Sequence, residues 1–255
     1  TRMGAYINFS QKDKEIKAQI ATSFISLEQA RLNLQREISG WSLKQVYENT
    51  KKEWNDKLSR LTIKGGSERD ARIFYTALYH SYLFPREFSE YGRYYSAFDD
   101  RIHEGISYND YSLWDTFRAF HPLMTLLEPQ LTGDWITSLL QMYKEGGWLP
   151  MWPNPTYTNI MIATHADAVI ADAYMKGIRN FDVNLAYEAI RKDAMVPPDC
   201  DTNRKYGDRD YWTSYEGRAG ASYYHSIGYV PDDKTAESVS RTLEYAYDDW
   251  CVAQM

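Results

Sequence analysis

Cysteine, long apolar runs and an excess of positive charge are all lacking from this 255-residue chain. Its two cysteines, Cys200 and Cys251, are too few for a disulfide framework and lack the spacing of a metal site, so they leave the redox compartment open. No stretch approaches the roughly 20 apolar residues that a membrane-spanning helix needs. The net charge of −6 argues against a nucleic-acid partner, because such proteins present a basic surface to the phosphates.

An initiator methionine and a charged-then-apolar leader are also missing at the N-terminus, so no signal peptide is visible. Residues 3–9 and 16–24 alternate apolar and polar positions with a period of two, which predicts half-buried strands. Two strands alone are marginal in water, so we expect their partners to precede residue 1. Residues 241–255 have a helical pattern without a stop signal. These patterns predict a fragment of a longer polypeptide.

What the sequence does have is a large share of aromatic residues, 15% in all, with 8 tryptophans and 22 tyrosines. A large hydrophobic core is one explanation. The other is a surface that binds sugars, because the C–H faces of sugars pack on aromatic rings. Composition alone favours the core.

Helical periodicity follows the two predicted strands. Ser26 with Gln29, and Ser42 with Gln45, have the form of a capping box, and they predict two helices separated by a turn at Gly40. From residue 67 onwards, helix follows helix, with breaks at proline and glycine. The predicted helices span residues 68–83, 112–127 with a kink or break at Pro122, 134–144, 160–176, 182–195 and a last helix after residue 233.

The connections between these helices alternate in length. Those at residues 131–133 and 179–181 are short, whereas those at 86–110, 148–159 and 196–231 are long and rich in Trp, Tyr, Gly and Pro. Short connections join antiparallel neighbours at one end of a helical array, and long loops at the other end usually carry function. The pattern fits part of an (α/α)6 toroid. It would also fit an α-solenoid, although no convincing internal repeat is found.

An ordered set of motifs runs through most of the chain. The most specific is Ser-Leu-Trp-Asp-Thr-Phe-Arg at residues 112–118, followed by His-Pro-Leu at residues 121–123. Further motifs lie at residues 23–26, 74–80, 144–150, 165–178, 228–231 and 242–246. In this order the set resembles glycoside hydrolase family 92, whose members are calcium-dependent exo-α-mannosidases of the α-1,2-mannosidase-like kind. One such motif alone has little specificity, whereas the ordered set is specific.

The resemblance implies a mainly α-helical piece of a two-domain enzyme. Residues 1–25 would be the end of an N-terminal β-sandwich domain, residues 26–66 linker helices, and residues 67–255 the N-terminal part of an (α/α)6 barrel catalytic domain. Members of the family remove terminal α-linked mannose from glycans, as on N-glycans, with inversion, and they need calcium. The resemblance also implies an enzyme that is secreted or periplasmic.

Inversion requires a protonated carboxyl for the leaving oxygen and a carboxylate that deprotonates a water, roughly 6.5–9.5 Å apart. The resemblance implies that this acid and base, and the calcium ligands, lie in later segments that this sequence does not contain. We therefore expect no catalytic residue and no metal ligand here, and we expect the fragment alone to be inactive. The expected partners are a mannose-containing glycan and the remainder of the same polypeptide.

Asp115 is the first candidate for binding the substrate. The resemblance places it in the family's Trp-Asp-Thr motif, whose aspartate accepts hydrogen bonds from hydroxyls of the terminal mannose, and a carboxylate can accept two such donors. Arg118 would orient Asp115 from behind. The alternative is an i,i+3 ion pair between the two residues on a helix face.

Four further residues are candidates for substrate contact. Trp148 and Trp152 lie in a loop rich in Gly and Pro and can offer a face to a sugar, although apolar anchoring of the loop fits as well. His165 lies close to that loop, where a hydrogen-bonded core histidine is the alternative. Glu145, beside Gly146, has either a substrate-orienting or a structural role.

Two other functions stay open. One is another (α/α)6 glycosidase, acting on glucosides, and the ordered motifs count against it. The other is a non-catalytic helical module for carbohydrate binding or scaffolding, which the sequence favours only if these residues are the whole natural chain.

Overall fold

The computed structural model describes residues 4–9, 15–158, 160–199, 201 and 217–255. The chain divides into a smaller unit, Thr1–Lys57, and a larger unit, Leu58–Met255. The domain boundaries predicted after residues 25 and 66 stay predictions. Cys200 lies outside the described residues, and Cys251 is a free, buried thiol.

The described residues of the smaller unit include two helices, α1 (Leu27–Glu37) and α2 (Leu43–Leu58). The Ser26 hydroxyl accepts a hydrogen bond from the Gln29 backbone N–H at 3.1 Å. The Ser42 hydroxyl accepts one from the Gln45 N–H at 3.2 Å. Both predicted helix starts are therefore confirmed, because each serine satisfies an N–H that has no partner within its helix.

The two strands predicted near the N-terminus are not found among the described residues of this unit. Residues 4–9 and 15–22 form neither strand nor helix, and residues 4–9 are exposed throughout. A strand requires a neighbour for its backbone N–H and C=O groups, and alternating side chains do not supply one. Since the expected partners would precede residue 1, the two strands stay a prediction.

The larger unit opens with α3 (Glu68–Ser81), which has a complete capping box. The Asp70 N–H donates to the Ser67 hydroxyl at 3.2 Å, and the Ser67 N–H donates to the Asp70 carboxylate at 2.9 Å. This reciprocal pair satisfies two backbone donors at the helix start.

Four short strands follow in the segment that the sequence predicted to be a loop. They are β1 (Arg86–Glu87), β2 (Arg93–Ser96), β3 (Arg101–Glu104) and β4 (Tyr108–Asn109). β1 pairs with β4, and β2 pairs with β3, both antiparallel. In β2, Tyr94 and Ser96 are buried and Arg93 is exposed, which is the alternation of a half-buried strand. The loop prediction missed this alternation because the strands are short.

Seven further helices lie in the described residues of the larger unit. They are α4 (Leu113–Thr116), α5 (Phe120–Leu127), α6 (Pro129–Gly146), α7 (Ala166–Met175), α8 (Val183–Met195), α9 (Ala221–Ile227) and α10 (Ser238–Gln254). None of the helices in the described ranges is both long and apolar enough to cross a bilayer.

These helices pack in two rows. In the first row α5 contacts α7 and α7 contacts α10, and in the second row α6 contacts α8. Contacts between α5 and α6, between α7 and α8, and between α8 and α10 join the rows. The mainly helical fold class is confirmed, and closure into a six-pair (α/α)6 barrel stays a prediction.

Several predicted helix boundaries are wrong, and proline position explains two of them. The break between α4 and α5 lies at residues 117–119, ahead of Pro122, which stands in the first turn of α5. A proline is tolerated in a first turn because its missing N–H would have no helical partner there. For the same reason α6 begins at Pro129, earlier than the predicted residue 134.

Two other boundaries were set by turns that the sequence pattern did not reveal. α7 begins at Ala166, later than the predicted residue 160, because Met161 and Ala163 have positive φ angles of 64° and 67°. Backbone in this left-handed region interrupts a right-handed helix. α9 falls within residues 196–231, which were predicted to be loop.

A single residue, Glu128, connects α5 to α6. Its buried carboxylate accepts an ion pair from Arg60 at 2.8 Å and a hydrogen bond from the Tyr82 hydroxyl at 3.2 Å. Arg60 also donates to the Leu127 carbonyl at 2.8 Å. The bend between the two rows is therefore fixed by side chains from outside both helices.

The main core lies between the two rows. Its fully buried apolar side chains come from α4 to α8 and interlock across the rows. They include Leu113, Met124, Ile136, Leu139, Ile170 and Ile190. This packing fixes the ends of the first-row helices, where the candidate site lies.

Candidate functional site

Long connections precede the helices of the first row. Residues 82–112 lead to α4 and α5, residues 147–165 lead to α7, and residues 196–237 lead to α10 apart from the short α9. By contrast, Glu128 alone joins α5 to α6, and residues 176–182 join α7 to α8. The predicted alternation is confirmed, although the first short connection lies at residue 128 and not at residues 131–133.

A cleft of about 600 Å³ opens along the first row. Its walls come from the connection between α4 and α5, from α7 and from α10. Its lining includes charged and aromatic side chains, namely Phe117, Arg118, Asp172, Glu244, Tyr247 and Trp250. A cleft of this kind combines hydrogen-bonding groups with apolar ring faces.

Arg118 reaches into this cleft from the connection between α4 and α5. Its Nη2 lies 3.2 Å from Oε1 of Glu244 in α10. Its guanidinium lies over the rings of Trp114 and Phe117, at 4.7 and 4.6 Å from their centroids. The expected alternative, an ion pair between Arg118 and Asp115, is not among the contacts of the described residues.

Asp115 lies in α4 and is exposed. Its Oδ2 accepts a hydrogen bond from the Ser112 hydroxyl at 2.7 Å. Of the two residues predicted to act together, the described wall of the cleft includes Arg118 and not Asp115. The role of Asp115 in binding mannose stays a prediction.

His165 immediately precedes α7 and is buried beside the cleft. Its Nδ1 lies 3.0 Å from Oδ1 of Asp248, and its Nε2 lies 3.4 Å from Oε2 of Glu244. Its ring stacks on Phe117 with centroids 4.1 Å apart and planes 15° apart. The structure therefore brings His165 and Arg118 together through Glu244.

Behind His165 lies a buried charged cluster around Arg218. The Arg218 guanidinium donates to the Thr164 hydroxyl at 3.0 Å and to Asp167 Oδ2 at 3.1 Å, and it pairs with Asp249. Asp248 accepts from the Thr164 N–H at 2.9 Å. The cluster joins the start of α7 to the second half of α10.

Two carboxyls of this cluster have raised pKa values. Burial raises the pKa of Asp193 to about 8, and burial together with the charge of Asp193 raises the pKa of Asp167 well above its ordinary value. Arg218 opposes both shifts because its positive charge favours the carboxylates. These two carboxyls therefore bind a proton more tightly than exposed aspartates do.

Sequence reasoning missed Arg218, Asp248 and Glu244 as parts of the site. Glu244 and Asp248 are four residues apart in α10 and so share a face, which was the available signal. Arg218 gave no such signal, because it lies in a stretch that has no helical or strand periodicity.

The other predicted contact residues lie away from the cleft wall. Glu145, near the end of α6, is almost buried and accepts a hydrogen bond from the Tyr94 hydroxyl of β2. The Trp148 ring lies 4.3 Å from Nζ of Lys192 in α8. Trp152 is half-buried, and its carbonyl accepts from the Thr158 hydroxyl. Their contact with substrate stays a prediction.

The described residues do not fit the calcium ion that the resemblance implies. No group of three or more His, Cys, Asp or Glu side chains in the described ranges is placed to hold a metal ion. The nearest acidic cluster, around Asp167 and Asp193, is closed by Arg218 and by retained protons. A cation would compete there with an arginine that is already paired.

The described helices form an array with a cleft lined by charged and aromatic side chains. The comparisons with known proteins place it more narrowly. The chain belongs to glycosyl hydrolase family 92, since the model of the family's catalytic domain matches residues 29–255.

Similar proteins agree with this assignment. A protein of Arthroderma benhamiae described as an uncharacterised secreted glycosidase is 32% identical, over 98% of this chain and 29% of its own length. A family 92 inverting mannosidase of Bacteroides thetaiotaomicron is 37% identical with a TM-score of 0.82, covering 91% of this chain and 30% of that chain. A second family 92 α-mannosidase of the same bacterium, solved with mannoimidazole, is 34% identical with a TM-score of 0.76, covering 91% and 28%. This chain thus spans less than a third of each of these relatives.

Proposed function

We propose that this chain is part of an inverting exo-α-mannosidase that removes terminal α-linked mannose from glycans. One observation carries the proposal: Arg118 and Glu244 meet at one cleft, with His165 buried beside them, in a chain that belongs to glycosyl hydrolase family 92. The solved relatives described as mannosidases support the choice of sugar.

The cleft has the chemistry that a sugar requires. A sugar hydroxyl can accept hydrogen bonds, so it pairs with the N–H groups of Arg118. The Tyr247 ring, part of the cleft wall, offers an apolar face to the C–H groups of a pyranose. The Arg118 side chain is 48% exposed, so a ligand can reach it.

Asp115 has a separate part in the proposal. Its Oδ2 accepts from Ser112, which directs the carboxylate and leaves acceptor capacity for hydroxyls of the terminal mannose. We propose that three further residues contact the remainder of the glycan. They are Glu145 at the end of α6, and Trp148 and Trp152 in the connection from α6 to α7.

The proposal places the general acid, the general base and the calcium ligands in other parts of a longer polypeptide. Inversion requires two carboxyls with room for a water between them. We also place the enzyme outside the cytoplasm, in the periplasm or the medium, and the secreted relative from Arthroderma benhamiae supports this.

The test is hydrolysis by the full-length polypeptide. We expect it to release mannose from α-mannosides. Proton NMR is expected to detect the β-anomer of mannose first, because the reaction inverts the anomeric centre. Asp115→Asn is expected to lower kcat/KM by roughly a hundredfold or more, because the amide loses charge-assisted hydrogen bonds to the sugar. The thermal unfolding midpoint is expected to stay unchanged.

Asp182→Asn is the matched control. Asp182 is an exposed aspartate whose side chain caps α8 by accepting from the Leu185 N–H at 3.0 Å, and asparagine caps helices equally well. Its activity is expected to equal that of the wild type. Normal turnover by Asp115→Asn would remove the role assigned to Asp115, and hydrolysis of α-glucosides in place of α-mannosides would overturn the proposed function.

A further inference from the structure

Glu244 joins two side chains from different parts of the chain. It lies in the second turn of α10, and its carboxylate faces both Arg118 and His165. Oε1 lies 3.2 Å from Nη2 of Arg118, and Oε2 lies 3.4 Å from Nε2 of His165. One carboxylate of α10 thus contacts the segments that precede α5 and α7.

Arg118 depends on this carboxylate for its direction. Its side chain is 48% exposed and has several rotatable bonds, and the rings of Trp114 and Phe117 restrict the plane of the guanidinium without fixing where its N–H groups point. An ion pair to a planar carboxylate supplies that direction. The Glu244 side chain is 21% exposed, which keeps the pair within reach of a ligand in the cleft.

His165 is held on every side except the one that faces Glu244. Asp248 holds Nδ1 at 3.0 Å, and the Thr164 N–H in turn holds Asp248 at 2.9 Å. Phe117 covers one face of the ring. Nε2 is buried and has no hydrogen-bond partner among the residues that the structure describes. The imidazole therefore has one polar edge without a hydrogen bond, and that edge lies 3.4 Å from the Glu244 carboxylate.

We propose that Glu244 is a positioning residue that aims Arg118 at the hydroxyls of the sugar bound in the cleft, with the buried His165 packed behind its carboxylate. This inference rests on the proposed mannosidase function and adds a specific dependence to it. Glu244 acts through Arg118, so its removal weakens substrate binding more than it slows the chemical step.

The experiment uses the full-length polypeptide and α-mannoside hydrolysis. Glu244→Gln keeps the size of the side chain and removes its charge, and it is expected to raise KM roughly tenfold or more with a smaller change in kcat. Glu244→Asp restores the charge on a shorter side chain and is expected to recover part of the loss. Glu188→Gln is the matched control, because Glu188 accepts from the Tyr143 hydroxyl at 2.9 Å away from the cleft.

A double-variant cycle separates positioning from general stabilisation. If Glu244 acts through Arg118, then Glu244→Gln combined with Arg118→Gln loses little more kcat/KM than Arg118→Gln alone. An additive loss, or an unchanged KM in a folded Glu244→Gln variant, would overturn the inference while mannosidase activity stands. If Glu244→Gln does not fold, a folded Glu244→Asp with normal KM would overturn it as well. A wild type that hydrolyses no α-mannoside would overturn both proposals.

Discussion

His121 shows at the residue scale how burial changes the chemistry of one side chain. It lies in the first turn of α5, almost completely buried, with its ring edge-on to Trp135 at 5.6 Å between centroids. Burial lowers the pKa of His121 to about 3, because the charged imidazolium would lose its hydration. The folded protein therefore keeps this ring neutral over the physiological range.

The pH dependence of stability follows from that shift. In the unfolded chain histidine binds a proton near pH 6.5, whereas folded His121 resists protonation until about pH 3. Stability is therefore lost as the pH falls through this range, by ~3 kcal/mol between pH 7 and pH 4 for this group alone. For His121→Leu we expect the free energy of unfolding, measured by urea denaturation, to fall less than that of the wild type between pH 7 and pH 4. An equal fall for wild type and variant would contradict the lowered pKa.

Local signals were predicted well at this scale, and distant partners were not. Ser26 and Ser42 were predicted to begin helices because a cap involves residues only three positions away. Arg118 was predicted as a candidate site residue from its motif, and His165 from its position close to a loop. Their common partner Glu244 was not, because it is 126 residues from Arg118 and only folding brings the two together.

At the scale of elements, Arg218 holds the segment before α9 against α7 and α10. Its fully buried guanidinium contacts Thr164, Asp167 and Asp249, so two helices and a loop share one cation. The carboxyl groups of Asp193 and Asp248 also lie near this arginine. Burial opposes the charge of Arg218, but Asp167, Asp248 and Asp249 outweigh it and raise the pKa of Arg218. Arg218 therefore carries its charge at every accessible pH.

Arg218→Met tests this tie. The methionine fills much of the space but leaves Asp167 and Thr164 without their donor, and loss of one partner of a buried ion pair costs ~3–5 kcal/mol. We expect unfolding at lower urea concentration and faster hydrogen exchange in residues 217–227. Arg60→Met is the control, because Arg60 is a half-exposed arginine that pairs with one carboxylate. A smaller effect for Arg218→Met than for Arg60→Met would contradict the assignment.

The two rows of helices could be foreseen at this scale, whereas the short strands and α9 could not. Sustained helical periodicity and alternating connection lengths predicted the array, since both depend on long stretches of sequence. A strand of two residues, such as β1 or β4, has too few positions to display a period. The strands expected at residues 3–9 and 16–24 had the period and lacked a neighbour.

A buried carboxyl makes the stability of the whole molecule depend on pH between about pH 4 and pH 8. Burial raises the pKa of Asp193 to about 8, while Arg218 and Lys192 act in the opposite direction and Asp248 adds to the rise. An unfolded aspartate ionises near pH 4, so between about pH 4 and pH 8 the folded state holds a proton that the unfolded state releases. Stability therefore falls as the pH rises through this window.

Asp193→Asn removes this ionisable group and keeps its shape. We expect its thermal unfolding midpoint to decline less than that of the wild type between pH 5 and pH 8, because less proton release accompanies unfolding. Asp182→Asn, an exposed cap on the same helix, is expected to follow the wild-type curve. Parallel curves for Asp193→Asn and the wild type would contradict the raised pKa.

The bend at Glu128 has a mechanical consequence for the two rows of helices. Only Glu128 separates α5 from α6, and its carboxylate contacts Arg60 and Tyr82. These contacts hold the two helices together at that end. The opposite ends of these helices are joined by long segments, which precede α4, α7 and α10, and no such single-residue connection holds them together there.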